Sequence, residues 1–104
     1  MKLYLVTEDD RKVWVAALAH ERMYAYVANT GKFHDNNALR NDYYMERWFT
    51  YEEIGPAEAR RLIDEGVGTL EDDDEHSDVL AEWRADPKPL APADVLSIAA
   101  GYNR

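Results

Sequence analysis

The chain opens with three short runs of apolar and aromatic residues, and these runs constrain the fold more than any other feature. They are "KLYLVT" (2–7), "KVWVAALA" (12–19) and "RMYAYVA" (22–28). Runs of this length that are rich in β-branched and aromatic residues are typical of strands. Short polar breaks, "EDDR" and "AHE", separate them. The three runs therefore predict an antiparallel meander.

Neither face of the predicted sheet is polar. Successive side chains of a strand point to opposite faces, and in each run both alternating sets are apolar or aromatic. We therefore expect both faces to be covered at least in part. The alternative is an exposed aromatic face that binds a partner, and its residues would be Tyr4, Trp14, Tyr24 and Tyr26.

The middle of the chain predicts a turn, a short helix and a fourth strand. "ANTGK" (28–32) has a Gly two places after Asn, which suits a turn that needs a positive φ. Asn36 or Asn37 can cap a short helix that reaches Glu46. "RWFTYEEI" (47–54) then has the alternation of a strand.

The clearest helix is "GPAEARRLIDEGVG" (55–68). Pro56 suits the first helical position, Glu58 complements the helix N-terminus and Gly66 suits the C-terminal cap. An apolar stripe runs along one side of this helix, which we expect to pack on the sheet. The stripe consists of Ala59, Leu62, Ile63 and Val67. The expected core consists of Leu3, Leu5, Val13, Val15, Val27, Leu62 and Ile63.

Two further helices are expected near the C-terminus. Residues 77–86 form the first, with Ser77 as its cap, and residues 92–101 form the second. A proline-rich connector, "DPKPLAP" (86–92), separates them. The fold class is therefore α+β: a small antiparallel meander of about four strands packed against an amphipathic helix, with additional C-terminal helices.

The whole chain, 1–104, is expected to form one small domain. Residues 1–68 form its sheet-and-helix core, residues 69–76 an acidic connector and residues 77–104 a C-terminal helical arm. The arm must bury its apolar side chains against a surface. Its own domain and a second copy of the chain are the two alternatives, and the second would make a homodimer.

Charge is unevenly distributed along the chain. The formal net charge is −9. Residues 1–52 carry seven basic and eight acidic side chains, whereas residues 53–104 carry five basic and 13 acidic ones. Contacts to a phosphate backbone need clustered Lys and Arg, so direct binding to nucleic acid is disfavoured. The acidic half favours a protein partner with a basic surface.

The densest acidic stretch is "LEDDDEHSD" (70–78), in which six carboxylates surround a histidine. A calcium loop of the EF-hand type requires Gly at its sixth position and Glu at its twelfth. Counted from Asp72, those positions hold Ser77 and Trp83. We therefore predict no specific metal in this stretch. We expect a mobile loop, because no apolar residue anchors it after Leu70.

No catalytic motif is present in the sequence. The chain has no Cys, no glycine-rich phosphate loop and no G-x-S-x-G elbow, and its three histidines lack paired zinc-type spacing. His34 adjoins Asp35, and a His–Asp pair can act as a general base with its orienting carboxylate. Neighbours on an extended chain point apart, which argues against that geometry. We predict no catalytic residue and no cofactor, with a small enzyme that uses His34 and Asp35 as an alternative.

These features together predict a small acidic protein-interaction or accessory module. The first residues lack a signal-peptide core and no apolar run reaches the roughly 18–20 residues of a membrane span, so we expect a cytoplasmic protein. A further alternative is an acidic mimic of nucleic acid that inhibits a DNA- or RNA-binding protein. The residues expected to bind a partner are Tyr4, Trp14, Tyr24, Tyr26, Asp64, Glu65, Asp78, Glu82 and Trp83.

Overall fold

A five-stranded antiparallel sheet forms the centre of the computed structural model, which describes residues 1–101. The strands are β1 (Lys2–Glu8), β2 (Arg11–Ala19), β3 (Arg22–Val27), β4 (Lys32–Asp35) and β5 (Thr50–Ile54). Their order across the sheet is β4-β3-β2-β1-β5. The predicted α+β class is confirmed, with one strand more than expected. The final residues of the predicted arm, 102–104, lie outside the described residues.

The additional strand is β4, which pairs with β3 through Phe33 opposite Tyr26 and His34 opposite Ala25. The predicted fourth strand, 47–54, is shorter than expected and begins at Thr50 as β5. Two hairpins join the first three strands. In each hairpin turn the two central residues, 9–10 and 20–21, have positive φ. A turn of this type has a twist that matches the twist of the two paired strands.

Within residues 1–101, four α-helices and one π-helical turn accompany the sheet. The helices are α1 (Asn37–Asn41), α2 (Pro56–Asp64), α3 (Ser77–Arg84) and α4 (Pro92–Ala99). A π-helical turn (Asp42–Glu46) follows α1 directly. The Asn36 side chain accepts a hydrogen bond from the Leu39 amide (3.0 Å), as predicted for a cap. The predicted Ser77 cap is wrong, because the Ser77 hydroxyl donates backwards to the Asp74 carbonyl (3.2 Å).

The predicted end of α2 is confirmed at atomic detail. Gly66 has a φ of 94°, and its amide donates to the Ile63 carbonyl (3.0 Å). The Val67 amide donates to the Leu62 carbonyl (3.1 Å). These two bonds form a Schellman motif, which satisfies carbonyl groups that the end of a helix leaves without partners.

One face of the sheet is covered by α2 and α4. We call it the α2/α4 face. Its buried side chains are Leu3, Val15, Ala17, Tyr26, Phe33, Ile54, Ala59, Leu62, Ile63 and Val95. The opposite face, the α3 face, is covered by α1, the π-helical turn and α3. Its buried side chains are Tyr4, Val6, Trp14, Ala16, Met23, Ala25, Val27, Leu39 and Leu80. The expected coverage of both faces is therefore confirmed.

The residues expected to form one core are divided between these two faces. Val6 pairs with Trp14 but the next residue, Thr7, pairs with Lys12, so Val13 is the extra residue of a β-bulge. Val13 therefore packs on the α3 face with Trp14, and not on the face of Val15 as the simple alternation predicts. Val27 also lies on the α3 face, whereas Leu3, Leu5, Val15, Leu62 and Ile63 lie on the α2/α4 face.

The C-terminal segment lies against the rest of the described chain. The Phe33 and Leu90 amides each donate to the other residue's carbonyl (2.9 Å), so that residue 90 forms a bridge along the outer edge of β4. Val95 of α4 is 1% exposed and packs in the same cluster as Leu62. Among residues 1–101, no helix is both long enough and apolar enough to cross a bilayer.

Candidate interaction site

The predicted aromatic face does not exist as one surface. Tyr4 and Trp14 lie on the α3 face, whereas Tyr24 and Tyr26 lie on the α2/α4 face. The reason is the register of the second hairpin, which places Tyr24 opposite Ala17 and not beside Trp14. Tyr4, Trp14 and Tyr26 are each less than 10% exposed. These aromatic side chains pack the two cores and present little surface to a partner.

The predicted acidic binding residues are carried by helices on opposite faces of the sheet. At the end of α2, Asp64 pairs with Arg60 (3.6 Å), and Glu65 pairs with Arg61 (2.8 Å). Asp78 and Glu82 are exposed on α3. Trp83, predicted with them, is half-buried on the α3 face, where its ring meets Trp14 edge-on (centroids 6.0 Å apart). The structure therefore does not bring these residues together into one site.

The acidic connector contains hydrogen-bonded turns. The Asn29 side chain exchanges two hydrogen bonds (each 2.9 Å) with the backbone of Leu70, where the connector begins. Asp73 lies 3.1 Å from His76, and Asp72 lies 3.4 Å from Arg84. Within residues 1–101, no three potential ligand side chains are grouped closely enough to hold a metal ion.

His34 pairs with a carboxylate, but the carboxylate is not Asp35. Asp35 is exposed and pairs with Arg22 (3.1 Å). His34 is 2% exposed, and its Nδ1 lies 2.8 Å from Oδ2 of Asp86. Its Nε2 lies 2.7 Å from the Thr30 hydroxyl. His34 and Asp35 therefore do not pair with each other, because adjacent strand residues point to opposite faces.

Thr30, His34 and Asp86 form what we call the His34 network. The order of hydroxyl, imidazole and carboxylate is that of a nucleophilic triad. The imidazole is covered, however, by the Trp83 ring stacked on it (centroids 6.0 Å, 22°). The hydrogen bonds from His34 and from the Lys88 amide hold the pKa of Asp86 below its usual value. The network therefore joins β4 to the segment after α3, and His34 itself is 2% exposed.

Three large apolar side chains that remain exposed come from the π-helical turn and the residues just after it. Tyr44 is 48% exposed, Met45 74% and Trp48 77%. We call these three residues the aromatic corner. The sequence does not predict them as a surface, because Trp48 falls within the predicted strand 47–54 and the other two fall within the predicted helix that reaches Glu46. The density of aromatic residues in "YYMERWF" (43–49) was the available signal.

A buried carboxylate sets the shape of the aromatic corner. Asp42 is 5% exposed and accepts hydrogen bonds from the Trp48 amide (2.8 Å), the Phe49 amide (3.2 Å) and the Tyr51 hydroxyl (2.8 Å). Burial and the bond to Asp42 raise the pKa of Tyr51. Arg47 takes a left-handed conformation (φ 56°), and its amide donates to the Asp42 carbonyl (2.7 Å). The corner is thus held by hydrogen bonds that converge on one residue.

A groove of about 450 Å³ adjoins Trp48 on the α3 face. Phe49, Leu39 and Trp14 contribute its apolar lining, and Glu8 and Glu46 contribute carboxylates. Glu46 also accepts a hydrogen bond from the Trp48 indole (3.0 Å). An apolar groove with carboxylates suits a side chain with an apolar stem and a cationic head.

The outer edge of β5 begins two residues after Trp48. Among residues 1–101, no backbone group bonds to this outer side, whereas Leu90 bridges the outer side of β4. Thr50, Glu52 and Glu53 are exposed along it. The aromatic corner, the acidic groove and an open strand edge therefore meet at one end of the molecule.

Neither a protein-family model, a curated protein nor a solved structure matches this chain.

Proposed function

We propose that this chain is a protein-interaction module that binds its partner through the aromatic corner. The observation that supports the proposal is the exposure of Met45 and Trp48, at 74% and 77%, on a segment fixed by Asp42. Trp, Tyr and Met are enriched at protein interfaces, and Trp and Tyr among the residues that dominate binding energy. A segment that is already ordered loses less conformational entropy on binding.

The partner that suits this surface is a protein with a basic region. The whole chain carries a formal charge of −9, and two carboxylates line the groove beside Trp48: Glu46, and Glu8, which is paired with Arg11 (3.0 Å). Complementary charge accelerates encounter and selects among partners. We propose that this binding takes place in the cytoplasm, as the sequence predicts.

The arrangement of the acidic side chains supports an interaction module more than a mimic of nucleic acid. A mimic must hold its charges at regular spacing on one surface, since duplex DNA carries one charge per roughly 1.7 Å of its axis. Here α2 and α3 carry their acids on opposite faces of the sheet, and Asp64 and Glu65 are paired with arginines. These pairs reduce the charge available to a basic partner.

The test compares capture of host proteins by the natural chain, by Trp48→Ala and by Ile98→Ala. Ile98 is also exposed (41%) but belongs to α4, away from the aromatic corner. We expect a protein that the natural chain and Ile98→Ala both retain and that Trp48→Ala loses, with unchanged unfolding midpoints for all three. Equal capture by the three chains would remove the aromatic corner as the binding surface.

A further inference from the structure

We infer that the bound part of the partner is an extended segment with two adjacent basic residues, which adds to the sheet as a strand beside β5. This inference rests on the proposed function, because it requires that this end of the molecule binds a protein. It specifies the partner's backbone conformation and its charge, neither of which follows from exposed aromatic residues alone.

The open edge of β5 supplies the backbone recognition. A strand at the edge of a sheet presents unpaired amide and carbonyl groups, and an extended peptide can bond to them in the register of a further strand. Within residues 1–101 no chain segment occupies the outer side of β5. Thr50, Glu52 and Glu53 are exposed along this strand.

The charge of β5 selects a basic occupant. Glu52 lies opposite Leu5 and Glu53 opposite Tyr4, so the two carboxylates point to opposite faces of the sheet. Neither is in an ion pair within the described residues. On an added strand, the residues directly across from Glu52 and Glu53 are neighbours in sequence. Two consecutive Lys or Arg residues therefore place one cation against each carboxylate.

A second copy of this chain is a poor occupant of the same edge. Antiparallel pairing of two β5 strands about their centre would place Glu52 of one copy directly opposite Glu52 of the other, with Glu53 opposite Tyr51. Like charges directly opposite each other destabilise a pair of strands. Charged residues on an edge strand are a common protection against self-association. The edge therefore disfavours its own copy and favours a basic strand.

The aromatic corner adds an anchor to this recognition. Trp48 lies four positions before Glu52 in the chain, and strand residues advance by about 3.3 Å each. On a strand added antiparallel to β5, an apolar side chain about four residues after the basic pair would lie beside the segment that carries Trp48, just before β5 begins. The inferred ligand is therefore an extended segment with a basic pair followed by an apolar residue.

The probe is a labelled peptide of about nine residues with a Lys-Arg pair, Val and Thr flanks and a Leu about four residues after the pair. Its affinity is measured by fluorescence anisotropy against the natural chain and two double variants. Glu52→Gln with Glu53→Gln removes the charges of β5. Asp78→Asn with Glu82→Gln removes two exposed charges of α3 and is the matched control.

We expect the β5 variant to bind the peptide about 2- to 30-fold more weakly than the control variant does, as the loss of two cross-strand charge pairs implies. A peptide with Gln-Gln in place of Lys-Arg should bind the natural chain and the β5 variant equally. Equal affinities of both peptides for the natural chain would overturn the selection of a basic pair.

N-methylation of the peptide tests strand addition itself. Alternate amides of a strand face the same neighbour, so methyl groups on one alternating set should abolish binding and methyl groups on the other set should not. Equal effects of the two sets would overturn strand addition. If the peptide fails to bind while Trp48→Ala still loses a host protein, this inference fails and the proposed function stands. If Trp48→Ala loses nothing, the proposed function fails as well.

Discussion

Asp42 determines how the aromatic corner is presented. Its carboxylate accepts from the amides of Trp48 and Phe49 and from the Tyr51 hydroxyl, and its backbone carbonyl accepts from Arg47. The Arg47 guanidinium lies over the Tyr43 ring, 4.6 Å from its centroid. These contacts join residues four to nine positions apart, so a local pattern of helix and strand residues does not reveal them. They explain why the predicted strand 47–54 begins late and why Trp48 points to solvent.

Asp42→Ala should loosen the corner without removing any residue that touches a partner. The change leaves three donors without their acceptor, and we expect the free energy of unfolding to fall by about 1–3 kcal/mol. Capture through Trp48 should weaken as well, since the partner must then order the segment. Urea unfolding and capture are compared with Asp35→Ala, which breaks only the exposed pair with Arg22. If Asp42→Ala behaves like Asp35→Ala in both measurements, Asp42 does not shape the corner.

At the scale of secondary structure elements, sequence signals that act within a few residues predict the strands and helices well. Elements that depend on long-range contacts are not predicted. The first three strands and α2 follow from alternation, from Pro56 and from Gly66, all of which act within a few residues. The strand β4 was missed because "KFHD" has one strongly apolar residue and owes its conformation to pairing with β3. The partner of His34 was missed because Asp86 lies 52 residues away. The aromatic corner was missed because a π-helical turn has no simple sequence signature.

The His34 network should make stability depend on pH at the acid end. The pKa of Asp86 is lower in the folded chain than its usual value, chiefly because of the hydrogen bond with His34. Its contribution is therefore fully present above that value and is lost as the pH falls through the folded-state pKa. The natural chain should exceed Asp86→Asn in unfolding free energy at about pH 6, and the difference should shrink towards about pH 3.

Two measurements check this expectation. Urea midpoints of the natural chain and Asp86→Asn are determined across the acid range, where the other carboxylates titrate in both chains and cancel in the difference. Asp78→Asn is the control, because Asp78 is exposed and has no ion pair within the described residues. A difference for Asp86→Asn that stays constant with pH would mean that its charge does not stabilise the fold.

At the scale of the whole molecule, the acidic connector carries charge but lies apart from the proposed site. Residues 71–75 are all acidic and exposed, and they follow Leu70, which packs on the α3 face. The connector begins at Leu70, which bonds the Asn29 side chain just after β3, and Glu71 lines a cleft with Arg11 and Lys12 of β2, whereas the site lies at β5 and Trp48. We expect the charge of the connector to affect the encounter with a basic partner and to make no contact in the bound state.

Replacing residues 71–75 with Asn and Gln should therefore slow association and leave dissociation nearly unchanged. The five replacements change the formal charge from −9 to −4. At low salt we expect association with the Lys-Arg peptide to slow by about two- to tenfold, because the field that attracts the peptide is weaker. The difference should disappear near 1 M salt, where the screening length is about 3 Å. Stopped-flow anisotropy measures both rates. Faster dissociation of the neutral chain would show that the connector contacts the peptide directly, and unchanged rates with lower solubility would assign these acids to solubility alone.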